Sequence, residues 1–371
     1  MPKIFEIFGY PIDDRSEEAE QNRRAARCPF MGRDCDGGGN RYLSQIDLSR
    51  NPALRAMFPD RSKLSAGVCS IQVKADTAPW IVCPRRLLVL GRERAGERTH
   101  QRNSEIETLR LLGYPSGTRL GLWPEVKLKY TSVVNDVQMS FDYTFDYLIV
   151  PIASVSQSEI ESATNESWSK LQRIFQNGGY AIAKRGNEFY VEDCLTGVPS
   201  IIEIMTSSTS GGNKDARTTI PMAFEDAMLG RPHNGPGINY RQVWARMVSQ
   251  LIVKSEIALS WGGKTIWVVQ DLLVDYICAS TALNIRQFLS ENTSEVNMLS
   301  FSYGEAFEIS TGVIDLLNPQ LFAGPMTSNP ADYPQARPSF QDIIRAPICP
   351  PLHRVLVALA RRKPINQVIA P

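Results

Sequence analysis

Four of the seven cysteines, Cys28, Cys35, Cys69 and Cys83, fall in the first quarter of a 371-residue chain. The first two belong to the turn-rich stretch CPFMGRDCDGGGN, which offers few apolar side chains to bury. Such a segment needs something besides a hydrophobic core to hold it. The odd total, and a start (MPKIFEIFGYPIDD) without a basic leader and apolar run, argue for thiols or metal ligands over a disulfide framework and for a cytoplasmic protein. Cys28 and Cys83 precede proline, Cys35 lies in a glycine-rich turn, and Cys69 follows Gly67-Val68, so each can present a thiolate from a turn or strand end. Four thiolates suit tetrahedral zinc or iron. No CxxC knuckle occurs, so buried reduced cysteines remain the alternative, as expected for Cys194, Cys278 and Cys349 in their apolar surroundings.

With 43% hydrophobic and 21% charged residues, the chain can bury a large core, as one elaborate domain or two intimate ones: an N-terminal region over 1–100 and a second over 101–371 ending in a proline-rich tail. No stretch approaches the roughly 20 apolar residues that span a bilayer, so no membrane is expected. The net charge of +1 is uninformative, but Arg85, Arg86, Arg92, Arg94 and Arg98 cluster, as do Arg361, Arg362 and Lys363. Such clusters can contact phosphates, or simply be a solvated surface.

The pattern predicts a helix over 15–27, a hairpin within 67–89, a helix over 105–112, and a long hairpin turning at Asn135-Asp136. A helix over 158–177 follows, then two strands, YAIAKRGNEFYVEDCL and PSIIEIMT, joined at Thr196-Gly197. A loop over 207–219, a helix from Ile238 to Ser260, a strand leading into a helix over 264–277, and a loop-like tail from Asn318 to Pro351 complete the expectation.

Glu203 interrupts the apolar run SIIEIMT. A lone carboxylate buried there is costly unless paired or metal-bound; otherwise it must point outward from an edge strand. Hydrolysis of a phosphodiester with Mg²⁺ requires two carboxylates fixed on neighbouring strands. The partner acid is Asp146 or Asp142, four residues apart in SFDYTFDYLI and hence on one strand face. Folding the hairpin about Asn135-Asp136 sets Glu125 opposite Asp146, and both aspartates stay open as the partner acid. His100, His233 and His353 lack a nuclease or metal-ligand spacing, and Gly211-Gly212-Asn213-Lys214 is not a Walker loop, so no nucleotide cofactor is assigned.

Cys-Pro-Phe (28 to 30), Gly-Val-Cys (67 to 69), Trp-Ile-Val-Cys-Pro-Arg-Arg (80 to 86), the Glu203 strand and Gly-Pro-Gly-Ile-Asn (235 to 239) resemble, in order, segments of the NotI-like type II restriction endonucleases. The resemblance runs from about Cys28 to Ile277, with an insertion between Asp146 and Glu203. It implies an α/β fold with a PD-(D/E)XK nuclease core, a mixed central sheet flanked by helices, and an N-terminal metal-binding segment built on four cysteines. It also implies that Cys28, Cys35, Cys69 and Cys83 hold a structural iron or zinc, Cys35 lying closer to the first cysteine than its counterpart does. Asp146 and Glu203 would bind catalytic Mg²⁺. Asp146 is narrowly favoured because the family carries a further glutamate on the preceding strand, the auxiliary place of Glu125, while Asp142, in Ser-Phe-Asp-Tyr-Thr, resembles the family segment more literally and is a near-equal alternative. A homodimer would cut a palindromic, GC-rich double-stranded DNA. Arg85, Arg86 and the loop with Lys214 and Arg217 are expected to approach the DNA. One position departs: the water-orienting residue, lysine in most such nucleases and glutamine in this family, is Met205. Either Lys127, Lys129 or Lys214 substitutes, or the metal acts alone, or the chain is a metal-stapled DNA-binding protein that no longer cuts.

Overall fold

The computed structural model describes residues 1–38, 44–91, 100–210, 212–308, 311–328 and 338–344. Its first third runs β1 (Lys3–Ile7), β2 (Tyr10–Pro11), α1 (Glu17–Ala25), β3 (Arg27–Cys28), β4 (Arg33–Asp34), β5 (Gln45–Asp47), α2 (Pro52–Met57), β6 (Lys63–Ser65), β7 (Val68–Gln72), β8 (Trp80–Ile81), α3 (Pro84–Leu87) and α4 (Arg102–Leu111). α1 begins at Ser16, whose side chain accepts the Ala19 N–H, with Glu17, Glu18 and Glu20 in its first turn and Arg23 and Arg24 in its last. That arrangement complements the helix dipole at both ends. Strands in the order β2-β1-β7-β8 form a small antiparallel sheet, and the expected hairpin in 67–89 is the β7–β8 pair.

The remainder runs β9 (Leu120–Val134), β10 (Val137–Ser156), α5 (Gln157–Thr164), α6 (Trp168–Asn177), β11 (Ile182–Arg185), β12 (Glu188–Leu195), β13 (Ser200–Met205), α7 (Ile220–Met228), α8 (Tyr240–Ser260), β14 (Thr265–Gln270), α9 (Asp271–Ser280), β15 (Val296–Ser302) and β16 (Leu317–Gly324). These strands make an eight-stranded mixed sheet in the order β11-β12-β10-β13-β14-β15-β16, with β9 paired to β10. β13, β14 and β15 are mutually parallel and the other pairings antiparallel. Parallel strands need cover on both faces, and their near-continuous apolar sequences provide for it. Ile202, Ile204, Ile266 and Val268 pack on one side with Leu87, Leu88 and Leu111. On the other, Met205, Trp267 and Val269 pack with Val243, Met247 and Leu251 of α8 and Leu273 and Val274 of α9. The chain is thus mixed α/β, with helices flanking a mixed central sheet.

The two regions divided near residue 100 share packing. Gln270 accepts the Ile81 N–H at 2.8 Å and donates to the Pro79 carbonyl at 2.7 Å.

The β9–β10 hairpin turns at Asn135-Asp136 as expected, with both residues at positive φ (49° and 61°), the conformation a tight two-residue turn demands. Three expectations are corrected. The helix over 158–177 is two helices, because Asn165 ends α5 in the left-handed conformation. YAIAKRGNEFYVEDCL is itself a hairpin, β11 and β12 turning at Gly186 (φ 64°). With α5 and α6 it forms a satellite around Ile160, Leu171, Phe175, Val191 and Cys194, in the segment read as an insertion. The tail beginning at Asn318 is not loop throughout: β16 pairs with β15, burying Leu321 and Phe322. Pro319 lies near the start of that edge strand, where a missing N–H costs little.

Candidate active site

β10 and β13 run antiparallel with Tyr147 opposite Ile202, so the register carries Asp146 opposite Glu203. Each acid also holds the other's backbone: Asp146 Oδ2 accepts the Ile204 N–H at 2.8 Å, and Glu203 Oε1 accepts the Asp146 N–H at 3.4 Å. Two carboxylates are thereby fixed side by side on strands, whose rigidity a cation site requires. Burial, and then the Asp146 charge, push the Glu203 carboxyl up to about 8. Asp146 is raised as well, by burial, against the pull of the Ile204 N–H and the Lys254 charge.

Lys254, from α8, supplies the compensating charge. Its Nζ lies 2.6 Å from Glu203 Oε2 and donates to the Thr144 carbonyl at 2.8 Å, flanked by the rings of Phe145 and Trp267. Its side chain is 3% exposed, and Glu203's 4%. A buried ammonium is costly, and a carboxylate, a carbonyl and two aromatic faces are the partners that make it tolerable. A sequence signal exists. Val243, Met247, Leu251 and Ala258 mark the buried stripe of α8, and Lys254 falls on that stripe, three residues after Leu251 and four before Ala258.

Met205 shares the Glu203 face of β13, one two-residue step on, and its side chain joins the core under α8. The acids open onto a cleft of about 470 Å³, lined also by Glu125, Asp142, Arg85, Arg246 and Gln250. Arg246, Gln250 and Lys254 are spaced by four along α8 and so form one ridge along the cleft. Glu125 faces Asp146 across the hairpin, between the pairs Phe145–Val126 and Tyr147–Pro124. Its backbone is at φ 53°, and its carboxylate accepts from Arg85 at 3.3 Å. Asp142 lies farther out on the ribbon, where Lys127 (3.5 Å) and Lys129 (3.2 Å) pair with it. Those lysines are therefore engaged away from Glu203, and the cation beside Glu203 is Lys254.

The four N-terminal cysteines gather in one cluster with Phe30, Met31 and Val89, and all are free thiols. Cys28 accepts the N–H groups of Phe30 and Met31, Cys35 that of Gly37, and Cys83 those of Arg85 and Arg86. Burial pushes Cys28 up to about 12 and raises Cys35; the hydrogen bond between Cys69 and Cys83 raises the former and lowers the latter. Among the described residues no three donors have closed into a metal-binding set. The chemistry nevertheless fits one: N–H groups aimed at sulfur stabilise thiolates, and among the described residues Arg86 Nη1 is buried with no hydrogen-bond partner.

Arg86, expected at the DNA, is corrected. It is wholly buried, bound to Glu6 through Nε and to the Ile314 carbonyl through Nη2, and so cannot reach a ligand. Arg217 is partly exposed and paired with Asp226, while Lys214 lies exposed in the loop. Arg92, Arg94, Arg98, Arg361, Arg362, Lys363 and Cys349 lie outside the described residues. No helix of the described residues is long and apolar enough to cross a membrane. No protein-family model, curated protein or solved structure matches the chain.

Proposed function

We propose that this protein is a Mg²⁺-dependent, site-specific DNA endonuclease of the PD-(D/E)XK type, with Asp146 and Glu203 as metal-binding acids and Lys254 as the cation of the reaction centre. The observation that carries the reading is the Asp146–Glu203 pair. A buried glutamate and a half-buried aspartate on adjacent strands, the glutamate held near 8 by burial and by the aspartate's charge, open onto a cleft in which Lys254 bonds to Glu203. A divalent ion would take the place of the proton that Glu203 holds, and Mg²⁺ commonly takes only one or two carboxylates, completing its shell with water and substrate phosphate. Its chemistry there would be to polarise the phosphate and acidify bound water.

Lys254 fills the role that Met205 cannot. A thioether orients no water, whereas an ammonium beside Glu203 can hold the attacking oxygen and offset the charge that builds on the phosphate. Glu125 is placed to support the cation. The four cysteines, with iron or zinc, would staple the segment that walls the cleft through Gly38, Val82, Pro84 and Arg85. The resemblance implies double-stranded DNA as substrate and a homodimer with one centre per strand.

Incubation with GC-rich DNA and Mg²⁺ is expected to give discrete fragments from the parent chain and none from Glu203→Gln. Duplex binding by both proteins without fragments would instead favour the second reading, a metal-stapled DNA-binding protein, which Met205 motivates.

A further inference from the structure

Arg85 bridges the cysteine segment and the catalytic hairpin. Its position is set at the backbone, because the Arg85 N–H bonds to the Cys83 sulfur and the residue belongs to the single turn of α3. Its side chain, 16% exposed, forks. Nε and Nη2 bond to Asp36 Oδ2 at 3.3 and 3.2 Å, and Nη2 also reaches Glu125 Oε1 at 3.3 Å. Asp36 follows Cys35 and fastens its own loop by accepting the Gly38 N–H at 2.9 Å. Gly38 in turn lies so close to Cys83 that a Cβ there would be 2.7 Å from the sulfur. The guanidinium is thus anchored on one side by a carboxylate that does not border the cleft, and on the other by Glu125, which does.

We propose that Arg85 is the counter-ion of the cleft before a cation binds, exchanged at Glu125 for the divalent ion and then presented to a substrate phosphate. The inference rests on the nuclease reading and deepens it. Glu125 cannot serve Arg85 and a metal equally, since a cation brought to Asp146 and Glu203 meets the guanidinium as a like charge. Once the ion takes Glu125, Arg85 keeps Asp36, with one edge of its planar fork free. A fork held at one edge by a carboxylate and open at the other suits bidentate capture of a phosphate. Asp36 keeps the residue at the cleft wall during the exchange.

The test uses the full chain and Mn²⁺ alone, at pH 8, with binding followed by the loss of the free-ion EPR signal. The component that disappears in Glu203→Gln is the cleft site. In Arg85→Gln that site is expected to bind Mn²⁺ about tenfold tighter, since a like charge is removed and Glu125 released. Duplex DNA affinity in Ca²⁺ is expected to fall, with a salt dependence shallower by about one phosphate contact. Arg85→Lys, which keeps the charge but loses the fork, should tighten Mn²⁺ by less and still weaken DNA. A purely architectural arginine would weaken both ligands, so unchanged or weaker Mn²⁺ binding in both variants overturns the proposal. Tighter Mn²⁺ without loss of DNA affinity overturns the phosphate contact. Absence of any Mn²⁺ component sensitive to Glu203→Gln overturns both the exchange and the nuclease reading.

Discussion

Among the described residues two glutamates are buried against a cation, and they differ in what surrounds the pair. Glu6 is wholly enclosed and meets four hydrogen bonds: two from Arg86 Nε at 3.0 and 2.9 Å, one from Ser70 at 2.8 Å and one from Tyr303 at 2.7 Å. Arg86 in turn is flanked by the Phe30 and Tyr303 rings. Glu203 meets Lys254 and a long backbone N–H, and beside it stands a second acid, Asp146. Burial is nearly equal, but the balance of donors is not. At Glu6 the charge is satisfied and lies away from the cleft, so the network ties β1, β7, α3 and the segment after β15 together. At Glu203 two acids share one ammonium at the cleft, and the glutamate keeps a proton instead, an arrangement that a ligand cation could take over.

The same substitution at both positions should break this comparison most sharply. Glu6→Gln leaves the Arg86 guanidinium buried without its counter-charge and is expected to cost about 3–5 kcal/mol. Chemical denaturation would read this as a large fall in the midpoint. Glu203→Gln should raise rather than lower the midpoint at pH 7, because the folded carboxyl, held near 8, keeps a proton that the unfolded one has released, whereas the amide needs none. Cleavage, however, should drop by roughly 10³-fold or more, since an amide holds Mg²⁺ poorly. Equal destabilisation by both changes would mean that Glu203 is architectural too.

The next largest effect concerns where the cation comes from. Lys254→Met is expected to reduce cleavage by about 10²-fold while duplex binding in Ca²⁺ persists. Adding Met205→Lys to it should restore part of the rate, because position 205 shares the Glu203 face and the new methionine refills the core that the old one left. No rescue, together with an unaltered rate in Lys254→Met, would reduce Lys254 to a charge that merely balances burial, as Arg86 does for Glu6.

Much of this contrast is legible in the sequence, and the part that is not has a physical cause. Glu203 announces itself by interrupting an apolar strand, and the hairpin turn at Asn135-Asp136 fixes the register that sets Glu125 against Asp146. The register also separates Asp146 from Asp142: only the former reaches β13, while the latter lies out along the ribbon between two lysines. Lys254 is hidden because it comes from a helix some fifty residues downstream, although its place on the apolar stripe of α8 is visible. Arg86 reads as a phosphate ligand because a run of arginines reads as surface. Only the fold brings Glu6, eighty residues earlier, against it. The strand β16 escapes for a related reason, since a proline-rich segment reads as loop until the neighbouring strand β15 supplies its hydrogen bonds.

The carboxyl of Glu203 also predicts a pH dependence for the open side of the comparison. Its ordinary value of 4.5 is raised to about 8 in the folded chain, so the native state holds the proton more tightly than the unfolded one. The associated stability is fully present below about pH 4.5 and is lost as pH rises through about 8. Without divalent ions, thermal stability relative to Glu203→Gln should therefore decline across that window. Mg²⁺ should restore it at pH 8 and have little effect at pH 5, where it must displace a proton. A stabilisation by Mg²⁺ of equal size at both pH values would place the cation elsewhere.

Asp142 gives the smallest expected effect and the finest test of the register. It is half exposed, with Lys127 and Lys129 exposed as well, so its ion pairs are screened by solvent and contribute little. Asp142→Asn is expected to leave the unfolding midpoint almost where it is and to change cleavage by no more than a few-fold. Any change should act through the two lysines it frees on the ribbon face leading to Asp146, and those would tighten DNA binding at low salt and fade as salt is raised. Asp146→Asn, four residues along the same strand, should instead match Glu203→Gln in its loss of cleavage. If the two aspartates exchanged these outcomes, the acid that meets the metal would be the outer one, and the pairing of β10 with β13 would have to shift by four residues to bring it there.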